Sequence, residues 1–510
     1  MLVFEIVIAM LIGGAGLAAL ARRMATPYPA LVAVAGAGLA LIPRVPTIVL
    51  DPELALALFV APVLLDAAFD ASPRDLRANW RPVVSLALGA VALTVAVVAF
   101  AVHALVPLMP WAAAIALGAI VAPPDAAAAT AVLKQLRPPH RLLVILEGES
   151  LFNDASALLI YRIAVGAAAV GFISGWRLVP LVLFVTVGSF VLGIILSRII
   201  GPITSRIEDV ATAVVFQFCG TFAVWMLAER LHLSGILTMV VFAMAISRRA
   251  AEMIPARIRI PSYAVWEVAV FVLNVLAFIL VGFQLRSIVS RLDRATLIEY
   301  AWVAAAVCAA TILARIAWVT GAAAFSRWRC RGDEKKDSVS LSRSGAAVVG
   351  WCGMRGTVTL AAALALPTAF PHRDLILFTS FAVVLGTLVL QGMTLRPLMS
   401  LLKLEDDGQV EREVRLARVE TLRAAVDASA ECSEPGTAEL VRNRYAQMLR
   451  RAEAEMNGEA DIETTDTEVI RIGTAAERKR LNALRADGTI GDAAFQQVEQ
   501  ELDWEELAHT

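Results

Sequence analysis

Apolar residues in this chain fall in runs of about 20 without alternation of apolar and polar positions. Runs of that length suit bilayer crossing, and only helices or closed barrels can cross, because the backbone must satisfy its own hydrogen bonds in lipid. The lack of alternation selects helices. Thirteen spans are predicted, at about 2–21, 28–43, 51–69, 82–106, 110–134, 143–170, 178–199, 210–229, 234–247, 263–286, 299–325, 345–368 and 375–401. The third carries Asp51, Glu53, Asp66 and Asp70, which also suits a re-entrant or tilted segment. The first run, Leu2 to Leu20, precedes Arg22 and Arg23; a signal peptide has the opposite order, so a retained helix is expected.

Charge between the runs orients them. Alternate loops hold about 20 Lys and Arg on one side and about 7 on the other, with Arg286, Arg291 and Arg294 the exception on the poor side. The richer side is cytoplasmic by the positive-inside rule, which puts the N-terminus outside and the C-terminus inside. From 403 to 510 the long apolar runs stop and Glu, Asp, Arg and Ala dominate. Amphipathic helices are expected there at Val410–Ala430, Thr437–Met456 and Glu468–Arg485, with breaks at Pro435–Gly436 and Asp487–Gly488. This cytoplasmic tail suits a regulatory or dimer-contacting domain and equally a solvated appendage.

Composition agrees with the run pattern: 58% of the 510 residues are hydrophobic and 18% charged, against about half and about a quarter in soluble domains. The net charge of −1 and the lack of a basic tract give nucleic acid no footing. Five scattered cysteines without a C-x-x-C pair support neither a disulfide framework nor a zinc site.

Ionisable residues inside a membrane are costly and mark function by default. The densest group is Glu147-Gly148-Glu149-Ser150-Leu151-Phe152-Asn153-Asp154, followed by Tyr161-Arg162. At helical spacing Glu147, Ser150, Asp154 and Tyr161 share one face, and Glu149, Asn153 and Ser156 an adjacent one. Such oxygen ligands suit a hard cation, and a desolvated carboxylate also takes a proton readily. In the preceding span, Ala122-Pro123-Pro124-Asp125 breaks the helix and places an acid at the break. A dipole-compensating role for Asp125 is the bland alternative. A third group, Gly350 to Thr359, spreads three glycines around Arg355, a buried cation that needs a partner. Arg315, also mid-span, needs a partner that the sequence does not name. Spans 4–6 and 11–13 form two triplets of opposite orientation, each with an interrupted middle helix, which is a transporter's binding-site signature.

At these residues the chain resembles the bacterial sodium–proton exchangers of the first cation:proton antiporter family. The resemblance rests on Pro62 to Phe69, Pro123-Pro124-Asp125, Gly148-Glu149-Ser150-x-x-Asn153-Asp154 and Gly353-Met354-Arg355-Gly356, and covers essentially all the spans. It implies an all-α membrane fold of about 13 transmembrane helices, with inverted repeats, two interrupted and crossing helices, and a helical cytoplasmic tail. It implies a transmembrane antiporter domain at 1–402, with a moving core at 82–170 and 299–401 and a homodimer interface at 1–70 and 178–286. Asp154 would bind ion and proton, Asn153 would support it, and Ser150 and Asp125 would complete the ligands of a transported Na⁺. Glu149 and Arg355 would form a buried structural ion pair. Glu147, Pro123 and Asp66 are accessory candidates, Asp66 and Glu53 as lining of an access funnel. One position departs from the family: Pro124 stands where Thr is usual, so a hydroxyl ligand is lost and ion preference becomes open.

The expected activity is electroneutral exchange of Na⁺, with Li⁺, for H⁺ across the cell membrane, without a cofactor and without enzymatic chemistry. K⁺/H⁺ or broad monovalent-cation exchange on the same architecture is the alternative, and a cation channel the remote one. An intramembrane hydrolase is disfavoured because Phe152 interrupts the nucleophile-elbow pattern that Gly148-Glu149-Ser150 begins.

Overall fold

The computed structural model describes residues 2–24, 26–40, 54, 56–125, 128–130, 133, 136, 138–170, 175–289, 292–330, 342–404, 406–430 and 437–457, and in the tail 473, 476–484, 487, 498 and 502. Glu53, the linker 431–436 and the first part of the third expected tail helix lie outside the described residues. The chain divides into two compact units, Met1–Asp407 and Gly408–Thr510.

The described residues of the first unit are helical, without strands. In chain order the helices are α1 (Leu2–Met24), α2 (Tyr28–Ala40), α3 (Ala61–Asp70, continuing a π-helical turn Leu56–Val60) and α4 (Pro73–Ala78). Then follow α5 (Trp80–Leu105, with a π-helical segment at Ser85–Ala90), α6 (Trp111–Val121), α7 (His140–Val170), α8 (Gly175–Thr204), α9 (Val210–Arg230) and α10 (Gly235–Met253). The unit closes with α11 (Ala256–Val289), α12 (Arg294–Cys330), α13 (Arg343–Trp351), α14 (Thr357–Leu364) and α15 (Arg373–Leu402). Among the described residues, six helices are long and apolar enough to cross a membrane: Trp80–Leu105, Val182–Thr204, Val210–Arg230, Ala256–Ile279, Arg294–Arg329 and Arg373–Leu402. Shorter apolar helices occur at Ile8–Ala21, Tyr28–Gly38 and Trp111–Val121. Leu183, Phe184, Val187 and Phe190 stand exposed along α8, as a lipid-facing surface requires.

Helix starts and stops follow local chemistry. Ser234 and Ser342 cap α10 and α13 by accepting backbone N–H groups of Leu237 and Gly345. Prolines 123 and 124, which lack N–H donors, end α6, and glycines 350, 353 and 356 flank the stretch where α13 gives way to α14. Two packing groups result. Helix α12 lies against α5, α13 and α15, while α6 lies against α5 and α7. Separately, α2 packs on α11, and α10 on α3, α8 and α9. The closeness of α6 and α5 depends on Gly118, where a Cβ would lie 2.8 Å from the Val95 carbonyl oxygen. Around that contact Val98, Val102, Leu117 and Ile120 are buried together with Val307 of α12 and Ile376 of α15.

In the second unit, α16 (Gln409–Ala430) and α17 (Thr437–Asn457) pack against each other, and Arg423 of α16 pairs with Glu453 of α17 at 2.8 Å. Both helices lie where their amphipathic pattern predicts them.

Candidate functional site: two broken helices and a buried carboxylate

The site is built where two interrupted helices cross. The backbone is non-helical from Ala122 to Asp125, and helical residues resume by 128. It is non-helical again from Cys352 to Gly356. The two breaks are joined directly: Asp125 donates its backbone N–H to the Met354 carbonyl at 2.7 Å. Asp125 lies over Gly356 so closely that a Cβ at Gly356 would fall 1.6 Å from Asp125 Oδ2. Gly356 is the N-cap of α14, so the Asp125 carboxylate rests against the positive end of that half-helix.

The opposite helix ends are met by cations. Arg355 donates from Nε to the Val121 carbonyl, the last residue of α6, at 2.5 Å, and from Nη1 to the Gly353 carbonyl. Its backbone N–H is held by Thr387 Oγ1 of α15 at 3.0 Å. Arg315 of α12 donates from Nε and Nη2 to the Val349 carbonyl in the last turn of α13, at 3.2 and 3.0 Å. Each broken helix thus ends, at its negative pole, on a buried guanidinium that satisfies carbonyls the break has orphaned. Both arginines come from the second triplet, Arg315 from α12 and Arg355 from the second break.

Helix α7 carries the predicted motif past this crossing. Asn153 is fully buried and donates from Nδ2 to the Pro124 carbonyl at 3.0 Å, so it closes one acceptor that the first break leaves open. Its Oδ1 is buried without a hydrogen-bond partner among the described residues. Asp154, 6% exposed, follows directly and is close enough to Asp125 for the two carboxylates to interact electrostatically. Ser156, two residues on, donates to the Ala87 carbonyl at 2.6 Å, inside the π-helical segment of α5. Ser150 and Glu147 are half-buried on α7, each with a partner within the protein, and Pro123 is buried at the break.

The structure corrects one expected pairing. Glu149 bonds Arg315, not Arg355: Nη1 lies 2.5 Å from Oε1 and Nη2 2.9 Å from Oε2, and the two side chains are 1% and 2% exposed. The reason is positional. Arg355 sits inside the second break, where the carbonyls of Val121 and Gly353 take its donors, whereas Arg315 on α12 faces α7 and α13 together. Arg315 thereby gains the partner the sequence left unnamed. Asp66 is not brought to the crossing: it lines a cavity among α3, α8, α9, α10 and α11 that none of Asp125, Asn153 and Asp154 lines. Two residues that sequence reasoning did not place at the site stand near it. Tyr28 of α2 hydrogen-bonds Asn274 of α11 and interacts electrostatically with Asp125.

Comparison with known proteins decides what this crossing belongs to. The sequence profile of the transmembrane sodium/hydrogen exchanger family matches residues 6–401. The chain is a member of that family. The exchanger is 30% identical over 515 aligned positions to a Na(+)/H(+) exchanger of Mycobacterium bovis described as uncharacterized, covering 96% of this chain and 93% of the relative. It is 32% identical over 368 positions to the sodium, potassium, lithium and rubidium/H(+) antiporter of Bacillus subtilis, covering 68% and 54%. In fold it is similar to the sodium proton antiporter MjNhaP1 from Methanocaldococcus jannaschii at pH 8, with a TM-score of 0.61, 18% identity, and coverage of 76% of this chain and 98% of that one. The resemblance to the first cation:proton antiporter family therefore holds, and the exchanger is an all-helical, multi-pass membrane protein that fits monovalent cation/H⁺ exchange.

Proposed function

We propose that the exchanger carries Na⁺, and Li⁺ with it, against H⁺ in one-for-one electroneutral exchange, with Asp154 as the shared binding group. The observation that carries this reading is a buried Asn153–Asp154 pair set against two crossing helix breaks and a second carboxylate, Asp125. Asp154, Asp125 and Ser150 supply oxygen to a transported cation, and the unpartnered Asn153 Oδ1 adds one more within the same turn of α7. Glu147 and the Pro123 carbonyl are accessory. Glu149 and Arg315 fix α7 to the end of α13, and Arg355 fixes α6 to the second break.

A cation and a proton compete for Asp154 at each face. Either one neutralises the site, and the neutral site moves through the low-dielectric layer. The empty, charged site pays a desolvation cost and stays. Exchange is then obligatory without a separate gate. The moving body is the core at 82–170 and 299–401. Residues 1–70 and 178–286 serve as the homodimer scaffold, and 403–510 as the cytoplasmic tail. The chain has thirteen spans in the cell membrane, N-terminus outside.

One second reading has a specific observation behind it. Pro124 gives the site a carbonyl, already engaged by Asn153, where the family usually offers a hydroxyl. A looser shell of that kind suits K⁺ or broad selectivity, as the name of the Bacillus subtilis relative states for that protein. Proteoliposomes with an imposed proton gradient, a pH-sensitive dye and successive Na⁺, Li⁺ and K⁺ pulses separate the two. Collapse by Na⁺ and Li⁺ alone supports the first reading, collapse by all three the second, and a response to no cation refutes both.

A further inference from the structure

A cavity lies away from the crossing. It holds about 1050 Å³, including space open to the outside, among α3, α8, α9, α10 and α11. Its walls are apolar, formed by Leu65, Phe69, Ile246, Met253 and Trp266 among others. Two arginines line it, Arg249 near the end of α10 and Arg259 near the start of α11, and Arg249 is exposed at its open edge. One further feature points to a ligand. Ser262 lines the cavity, is 7% exposed, and its Oγ has no hydrogen-bond partner among the described residues. A buried hydroxyl without a partner is rare and asks for an acceptor. The neighbouring hydroxyls do not: Ser197 and Thr204 bond the carbonyls of Ile194 and Ile200 within α8.

We propose that this cavity binds one anionic phospholipid of the adjacent leaflet, with an acyl chain along the apolar walls, an ester carbonyl on Ser262 Oγ, and the phosphate at Arg249. The mostly apolar walls suit an acyl chain better than a nucleotide. Basic groups at the mouth of a pocket between membrane helices select anionic headgroups. Arg259 and Asp66 are engaged within the protein, so Arg249 is the cation that the headgroup meets. The inference stands whichever cation the exchanger carries.

Gly220 gives a clean test. It lines the cavity, and a Cβ there would meet no atom within 4 Å, so Gly220→Leu fills the space without a backbone clash. The full-length protein, purified in detergent, is mixed with dioleoylphosphatidylglycerol or dioleoylphosphatidylcholine, and retained lipid is counted by native mass spectrometry. Wild type keeps one phosphatidylglycerol in preference to phosphatidylcholine. Arg249→Gln lowers that retention by about fivefold, Gly220→Leu abolishes it, and both variants keep cation/H⁺ exchange. Four results overturn the proposal. Both lipids are held equally in all variants; inorganic phosphate alone competes fully, which marks a headgroup anion site without a chain; Gly220→Leu shifts the oligomeric mass with lipid unchanged, which marks a contact between copies; or Gly220→Leu stops ion flux, which makes the cavity part of the ion path.

Discussion

Replacing Glu149 by Gln isolates the buried ion pair from everything else at the crossing. The side chain keeps its size, but its charge is gone and one of its two acceptors becomes a donor. Arg315, 2% exposed, then keeps the Val349 carbonyl and one amide oxygen but no counter-charge. Removing one partner of a buried pair costs about 3–5 kcal/mol, because the surviving charge is left uncompensated. The upper half of that range is expected here, since both guanidinium–carboxylate contacts lie at 2.9 Å or less in a membrane interior. A double-mutant cycle reads the pairing. Glu149→Gln with Arg315→Gln should show a coupling of about 2–3 kcal/mol, and Glu149→Gln with Arg355→Gln less than about 1 kcal/mol. The assay is reversible unfolding in mixed micelles with added dodecyl sulfate, followed by tryptophan fluorescence. Exchange should fall along with stability, because Glu149 lies five residues before Asp154 on one helix, about 7.5 Å along its axis. A stability loss below about 1 kcal/mol, or a larger coupling through Arg355, refutes the reasoning.

Three further outcomes follow from the same geometry. Gly356→Ala places a methyl group 1.6 Å from Asp125 Oδ2, so the crossing must open; transport in proteoliposomes should be lost and stability should drop by about 1–3 kcal/mol or more. Arg162 of α7 and Glu229 of α9 form an exposed pair at 2.7 and 2.8 Å that ties the site-bearing helix to the other packing group. Glu229→Gln should cost at most about 1 kcal/mol of stability, yet change the ratio of exchange rates started from the two faces of oriented proteoliposomes; an unchanged ratio refutes a latch. Asp209 caps α9 by accepting the N–H and hydroxyl of Thr212 at 2.8 Å each, which holds its carboxyl below the usual carboxylate range. Its contribution is present above the unfolded-state value and lost as pH falls through the lowered folded one. Amide protection in the first turn of α9, taken relative to the intrinsic exchange rate at each pH, should therefore fall on acidification in wild type and much less in Asp209→Asn.

Run length made the helices legible, and proline and glycine made both breaks legible, because each acts within a few residues of chain. The chemistry of the motif was legible for a similar reason: Asn153 and Asp154 sit side by side on one helix. What the sequence left open depends on which distant segment arrives. The resemblance paired Glu149 with Arg355 and left Arg315 without a named partner, and nothing in the spacing of the two arginines decides between them. The crossing decides, by presenting Arg355 to the carbonyls that end α6 and Arg315 to the side of α7. Asp66 shows the same limit. Its apolar neighbours predict a helix, but only packing against α8 to α11 reveals that it faces a cavity that Asp154 does not line. Tyr28 carries no local signal at all, since its relation to Asp125 is made by α2 and α11 packing together.

The central claim is that one buried carboxylate serves both ions, and Asp154→Asn tests it most directly. Asparagine keeps the shape and removes the charge that cation and proton share. In proteoliposomes of matched protein content, with folding verified by gel filtration, a Na⁺ pulse should collapse the proton gradient with wild type and leave it intact with Asp154→Asn. Undiminished Na⁺-driven proton movement in the variant contradicts the account, because the ion would then have to bind elsewhere.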